Sequence, residues 1–167
     1  GRLLADGFRE MGRGDFAIIN NGSIRTDLAA GTATYGTLFQ LQPFQNRLLR
    51  LHLAGATVKD VLEHVVREGR PSSHVAGLEF WYDPSKPAGQ RVTKVQLWNG
   101  KKLDPRATYT LVVTDFLAGG GSGFAMLKDL PSEDAGLVDL DALIRYLQAL
   151  PQPVVAPASE RIHAERK

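Results

Sequence analysis

The stretch "VVTDFLAGGGSGFAML", residues 112–127, sets the problem. A β-branched run passes through Phe116 into "GGGSG" at 119–123, four glycines in five residues, and then resumes as an apolar, helix-like segment. Each glycine costs roughly 0.5–1 kcal/mol relative to alanine in regular structure. A cluster of this kind marks either a sterically extreme turn or a place where something approaches the backbone closely. The run before it, 108–117, reads as a strand that ends on Phe116.

Working outward, the chain alternates helices and strands. Leu4, Phe8 and Met11 follow i, i+4, i+7 spacing, predicting an amphipathic helix that ends near Gly12 and Gly14. "FAIIN" (16–20) is wholly apolar up to its last residue, the pattern of a strand buried on both faces. Residues 34–41 predict a brief helix. In 47–55, Leu49, Leu51 and Leu53 point inward and Arg50 and His52 outward. A helix follows over 57–68, with Val58, Val61, Leu62, Val65 and Val66 on one face and Thr57 as N-cap. Strands are expected at 78–83 and 91–98. The turn signals Asn99-Gly100 and Asp104-Pro105 join the second of these to the strand at 108. A last helix over 139–150 precedes a Pro-rich basic tail. Interspersed helices and strands, with at least one antiparallel run, predict an α+β fold with a mixed β-sheet.

Composition narrows the function. The 167 residues, 43% hydrophobic and 23% charged, suffice for one globular domain with a proper core. A net charge of +2 is too small to imply nucleic acid or membrane binding by itself. With no cysteine, neither a disulfide framework nor a thiolate metal site is possible. There is no membrane segment, because no apolar run approaches the roughly 20 residues that span a bilayer. The chain opens directly on "GRLLADGFREMG", already a helix, which suggests a piece of something longer.

Several segments invite chemistry. "NNGSIR" (20–25) is a polar turn after a buried strand, and Arg25 carries a planar donor fork suited to phosphate or carboxylate. The same residues also read as an ordinary turn with a surface arginine. In "LQPFQN" (41–46), Phe44 is either a core plug or an exposed stacking platform, and Phe116 shares that ambiguity. Two aromatics across a cleft hold a planar base at about 1–3 kcal/mol per stacking face. Catalytic patterns fail in turn. "GGGSG" lacks the Lys-Ser/Thr of a phosphate-binding loop, and Phe124 stands where a nucleophile elbow around Ser122 needs glycine. His52, His64, His74 and His163 are scattered. Asp60 and His64 share a helix face, but Lys59 and Glu63 beside them read as a solvated face. No catalytic and no metal-binding residues are identified.

Taken in order, "GRLLAD", "NNGSIR", "LQPFQNRL", "LAGATVKDVLEH", "VAGLEFWYDPSKPAGQRV" and "DFLAGGGSGF" resemble the C-terminal domain of the 5′-nucleotidases, the group that includes UDP-sugar hydrolases and 2′,3′-cyclic phosphodiesterases. The resemblance runs from Gly1 to about Phe124. It implies that residues 1–167 are a substrate-recognition domain with no cofactor of its own. An N-terminal metallophosphoesterase domain, absent here, would carry two divalent metal ions and the catalytic His-Asp pair. The implied partners are that domain and a nucleotide or nucleoside substrate; the implied location is periplasmic or secreted. By the same resemblance Asn20 and Arg25 hold the phosphate end, Phe44 and Phe116 stack on the base, and Ser122 replaces an aspartate that accepts ribose hydroxyls. The glycines let the backbone pass close under the sugar. Arg2 in place of Asn and Asn21 in place of Gly are milder departures. The Ser122 replacement keeps other readings in view: a relative acting on cyclic, sugar-nucleotide or non-nucleotide esters, or a binding module without catalysis.

Overall fold

The computed structural model describes residues 1–165; the last two residues of the basic tail lie outside the described residues. Its centre is a five-stranded mixed sheet in the order β3-β1-β6-β2-β7. The strands are β1 (Phe16–Asn20), β2 (Arg47–Ala54), β3 (Ser73–Ala76), β6 (Thr108–Thr114) and β7 (Ser132–Val138). A smaller sheet, β5-β4-β8, is built from β4 (Leu78–Tyr82), β5 (Val92–Leu97) and β8 (Ile162–Ala164). β1 runs parallel to β6, and β2 runs antiparallel to it. The fold is α+β, as the sequence predicts.

Strand periodicity divides the apolar residues between two cores. From β1, Phe16 and Ile18 enter one and Ala17 and Ile19 the other. From β6, Leu111 and Val113 join the first and Val112 the second. The first core lies under α3 (Gly55–Val65) and the small sheet. The second lies under α1 (Arg2–Gly12), α2 (Tyr35–Leu41) and α5 (Asp139–Ala149). All five residues of β1 are buried, so its unbroken apolar run does mark a strand covered on both faces. The tail is tied to α1 by Arg161, whose guanidinium donates to both carboxylate oxygens of Asp6 at 2.7 and 2.8 Å and to the Val75 carbonyl.

Three local expectations are corrected. α3 starts at Gly55 rather than after a Thr57 cap, and Ala54 caps it without a side-chain bond. The turn at 104–107 supplies the missing acceptors, with Gly55 N–H donating to the Ala107 carbonyl and Ala56 N–H to that of Pro105. A Cβ at Gly55 would lie 2.1 Å from the Asp104 carbonyl oxygen, so only glycine lets that turn come so close. Glu63 is not on a solvated face. It is buried, and its carboxylate accepts from the N–H groups of Arg91 and Val92 at 2.9 and 2.8 Å. Finally, β6 stops at Thr114, so Phe116 belongs to a single helical turn, α4 (Asp115–Ala118), rather than to the strand.

Candidate functional site

Strand register collects the candidate residues at one end of the large sheet. Phe16 and Ala17 pair with Leu111 and Val112, so β1 and β6 finish side by side. Leu48 pairs with Thr114, which brings the segment before β2 to the same end. Asn20 closes β1, Phe44 precedes β2, and Phe116 follows β6.

At the close of β6 the Thr114 hydroxyl accepts from the Leu117 N–H and caps α4. This turns the chain so that Phe116 stands on the surface while Leu117 enters the core. The glycine run comes next. Gly120, Ser122 and Gly123 all take positive φ, at 92°, 53° and 81°. That region penalises L side chains by about 1–2 kcal/mol and is natural for glycine. A Cβ at Gly121 would sit 2.6 Å from the Phe116 ring and 2.5 Å from its carbonyl oxygen. The loop backbone therefore presses directly on Phe116. Gly121 and Gly123 are required by the chain's own close approach, whatever else comes near.

Ser122 joins this loop to the first strand. The Asn20 amide donates to the Ser122 hydroxyl at 3.3 Å, and its Oδ1 accepts from the Ser23 hydroxyl at 2.5 Å. Asn20 is only 7% exposed, so these bonds hold it rigidly. Arg25 lies at the far side of the same turn. Its guanidinium donates to the Gly22 carbonyl and sits 5.9 Å from the centre of the Phe44 ring. A line of contacts thus runs from Phe116 through Gly121, Ser122, Asn20 and the 21–23 turn to Arg25 and Phe44, touching all five candidates.

Phe44 and Phe116 are 50% and 49% exposed, whereas Phe8, Phe16, Phe80 and Phe124 are buried. Neither candidate ring is a core plug. The Phe44 segment is fastened by residues that sequence reasoning missed. Asn46 donates its amide to Asp139 at 3.2 Å, and its carbonyl accepts from the Asp139 N–H at 2.8 Å. Asp139 also accepts from the Leu140 N–H at 2.7 Å. Burial pushes the Asp139 carboxyl up, and the Leu140 and Asn46 bonds partly offset that shift. Gln42, also in this segment, is fully buried with neither amide atom bonded to the protein. Thr114 and the acidic first turn of α5 were detectable as helix-start signals; Asn46 carried no such mark.

His64 does not pair with Asp60. Its Nε2–H donates to the Ser122 carbonyl at 3.0 Å, and its ring lies 4.3 Å from that of Phe124. Among the described residues no group of three or more His, Asp or Glu side chains is placed to hold a metal ion. None of their helices is long and apolar enough to cross a membrane.

The model of the 5′-nucleotidase C-terminal domain matches residues 1–129. The chain belongs to that family. It is 32% identical over 168 residues to a 5′-nucleotidase of Vibrio cholerae, covering 98% of this chain and 30% of that protein. It is 31% identical over 165 residues to the endonuclease YhcR of Bacillus subtilis, covering 97% and 13%. The crystal structure of a 5′-nucleotidase precursor from Thermus thermophilus superposes with a TM-score of 0.90 at 32% identity, over 99% of this chain and 35% of that one. The chain thus spans 35% or less of the length of these relatives.

Proposed function

We propose that this 5′-nucleotidase C-terminal domain grips a nucleotide for hydrolysis by a metallophosphoesterase domain of the same protein. Phe44 and Phe116 stack on the base, Asn20 and Arg25 hold the phosphate end, and Ser122 meets the sugar. Two divalent ions would belong to the N-terminal domain. Among the described residues no donor set fits such a pair, so no metal step is assigned to them. We place the whole protein in the periplasm or outside the cell. The supporting observation is the line of contacts that unites five residues from three separate segments, with two half-exposed phenylalanines at its ends.

One feature favours a second reading, in which the ester is cyclic, a sugar nucleotide or not a nucleotide, or the domain binds without serving catalysis. The Ser122 hydroxyl already accepts from Asn20, which leaves it one acceptor lone pair and its own O–H for a ribose diol. An aspartate offers two acceptor oxygens and stronger, charge-assisted bonds. Aspartate also tolerates the positive φ of this position better than most residues.

Titration calorimetry of the 167-residue chain with adenosine, AMP and 2′-deoxyadenosine tests both. On the nucleotide reading, Phe44→Ala and Phe116→Ala each weaken binding by about 1–3 kcal/mol. Ser122→Asp tightens adenosine by about 1–2 kcal/mol, roughly five- to thirtyfold, and 2′-deoxyadenosine by less. Equal affinity for the two nucleosides in both proteins would favour the second reading. Metal-dependent release of phosphate from AMP by this chain alone would contradict the proposed division of labour.

A further inference from the structure

We propose that His64 is a positioning residue for the substrate loop, setting the conformation of residues 120–123 through its bond to the Ser122 carbonyl. This inference rests on the nucleotide-site reading above. His64 lies on α3, outside every segment that carries a candidate contact residue, and reaches the loop from behind. A carbonyl only accepts, so Nε2 must carry the proton, and the 3.0 Å separation is that of a full hydrogen bond.

The loop needs such an external tether. Ser122 and Gly123 are consecutive residues at positive φ, a geometry no regular ladder maintains. Phe124, buried at 1% exposure, fixes the loop's downstream end, and the His64 ring packs on it. A Cβ at Gly123 would meet Arg67 Nη1 at 2.8 Å and His64 Cε1 at 3.1 Å, so the loop lies against the last turn of α3 and the residues that follow it. On its other side Gly121 presses on the Phe116 ring, and the Ser122 hydroxyl meets Asn20. A displacement of the Ser122 carbonyl is therefore passed to Phe116 and to the Asn20 amide together. The neighbouring Glu63 fastens the 91–92 backbone in the same way. Adjacent residues on one helix thus organise two loops, and only that of His64 leads to the site.

Two properties of His64, its donor and its ring, are separable. Glutamine keeps an N–H donor of comparable reach without the aromatic contact to Phe124. Phenylalanine keeps the ring and loses the donor. His64→Ala and His64→Phe are expected to weaken AMP binding about five- to tenfold in calorimetry, with His64→Gln restoring most of the loss. In ¹⁵N-edited NMR spectra without ligand, the Gly121 and Gly123 amides should shift and exchange faster in His64→Ala and His64→Phe, and should return toward wild type in His64→Gln. Unchanged glycine amides in His64→Phe would overturn the proposal, as would wild-type AMP affinity in that variant. If the wild-type chain binds no nucleotide, the site reading fails on its own, and the glycine amides still decide whether His64 holds the loop.

Discussion

Phe44 and Phe116 reach almost the same exposure by opposite means, and the contrast shows two ways to hold an exposed aromatic ring. Phe44 sits in a segment without glycine and is held by hydrogen bonds across the start of α5, one between the Asn46 amide and the Asp139 carboxylate and one from the Asp139 N–H to the Asn46 carbonyl. Phe116 is held by backbone shape. A threonine cap turns the chain, and a glycine loop folds back until it touches the ring. Hydrogen-bond tethering is local and is weakened by deleting one group. Backbone tethering depends on space, and is lost by adding one.

The largest break in this contrast should come from Asp139→Ala. It strands the half-buried Asn46 amide and the buried Leu140 N–H, at a cost of about 3 kcal/mol. Chemical denaturation should show that loss, and Phe44 should gain mobility while Phe116 keeps its surroundings. An undisturbed Phe44 would mean that Asn46 is not its tether.

Gly121→Ala is the reciprocal test. One methyl group forces Phe116 or its carbonyl to move, costing about 1–3 kcal/mol of stability. Nucleoside affinity should fall roughly tenfold or more, because Phe116 leaves its place while Phe44 does not. An alanine tolerated with full affinity would show that the loop yields freely and that shape is not the restraint.

A smaller effect of opposite sign is expected next to Phe44. Replacing Gln42 by methionine, similar in volume and apolar, removes two buried amide atoms that have no protein partner. Stability should rise by about 1 kcal/mol, read from the denaturation midpoint. A loss instead would show that the Gln42 amide helps to shape the Phe44 segment.

The smallest effect lies outside both segments and sharpens the comparison as a control. His74 on β3 has its pKa lowered to about 4, chiefly by burial. The folded chain thus favours the neutral ring, while the unfolded chain titrates near 6.5. Its contribution is fully present above about pH 6.5 and is lost as pH falls toward 4, on the order of 1 kcal/mol after allowance for partial exposure. Melting temperatures between about pH 4 and 7 should show that slope, flattened in His74→Gln. An equal slope in both proteins would assign the acid sensitivity elsewhere.

Sequence alone determined the elements with strong periodicity or strong punctuation. The i, i+4, i+7 spacing of Leu4, Phe8 and Met11 marked α1, and the apolar run of 16–20 marked a strand covered on both faces, because burial on a regular element leaves its period in the residues. Ordered motifs placed the chain in its family and named Asn20, Arg25, Phe44, Phe116 and Ser122 before any of them had a neighbour. The short strand β3, the polar edge strand β7 and the tail strand β8 were not legible. Their residues carry no alternation, and only a partner's register makes them strands. Tertiary structure alone decided that α3 starts at Gly55 and that Glu63 is buried, since both answer to backbone groups many residues away. It also decided how the glycines of 119–123 are used. Composition announced an extreme turn, but only packing shows that the turn bears on Phe116 from one side and hangs from His64 on the other. Contacts of that kind join residues with no relation in spacing, so three-dimensional proximity alone discloses them.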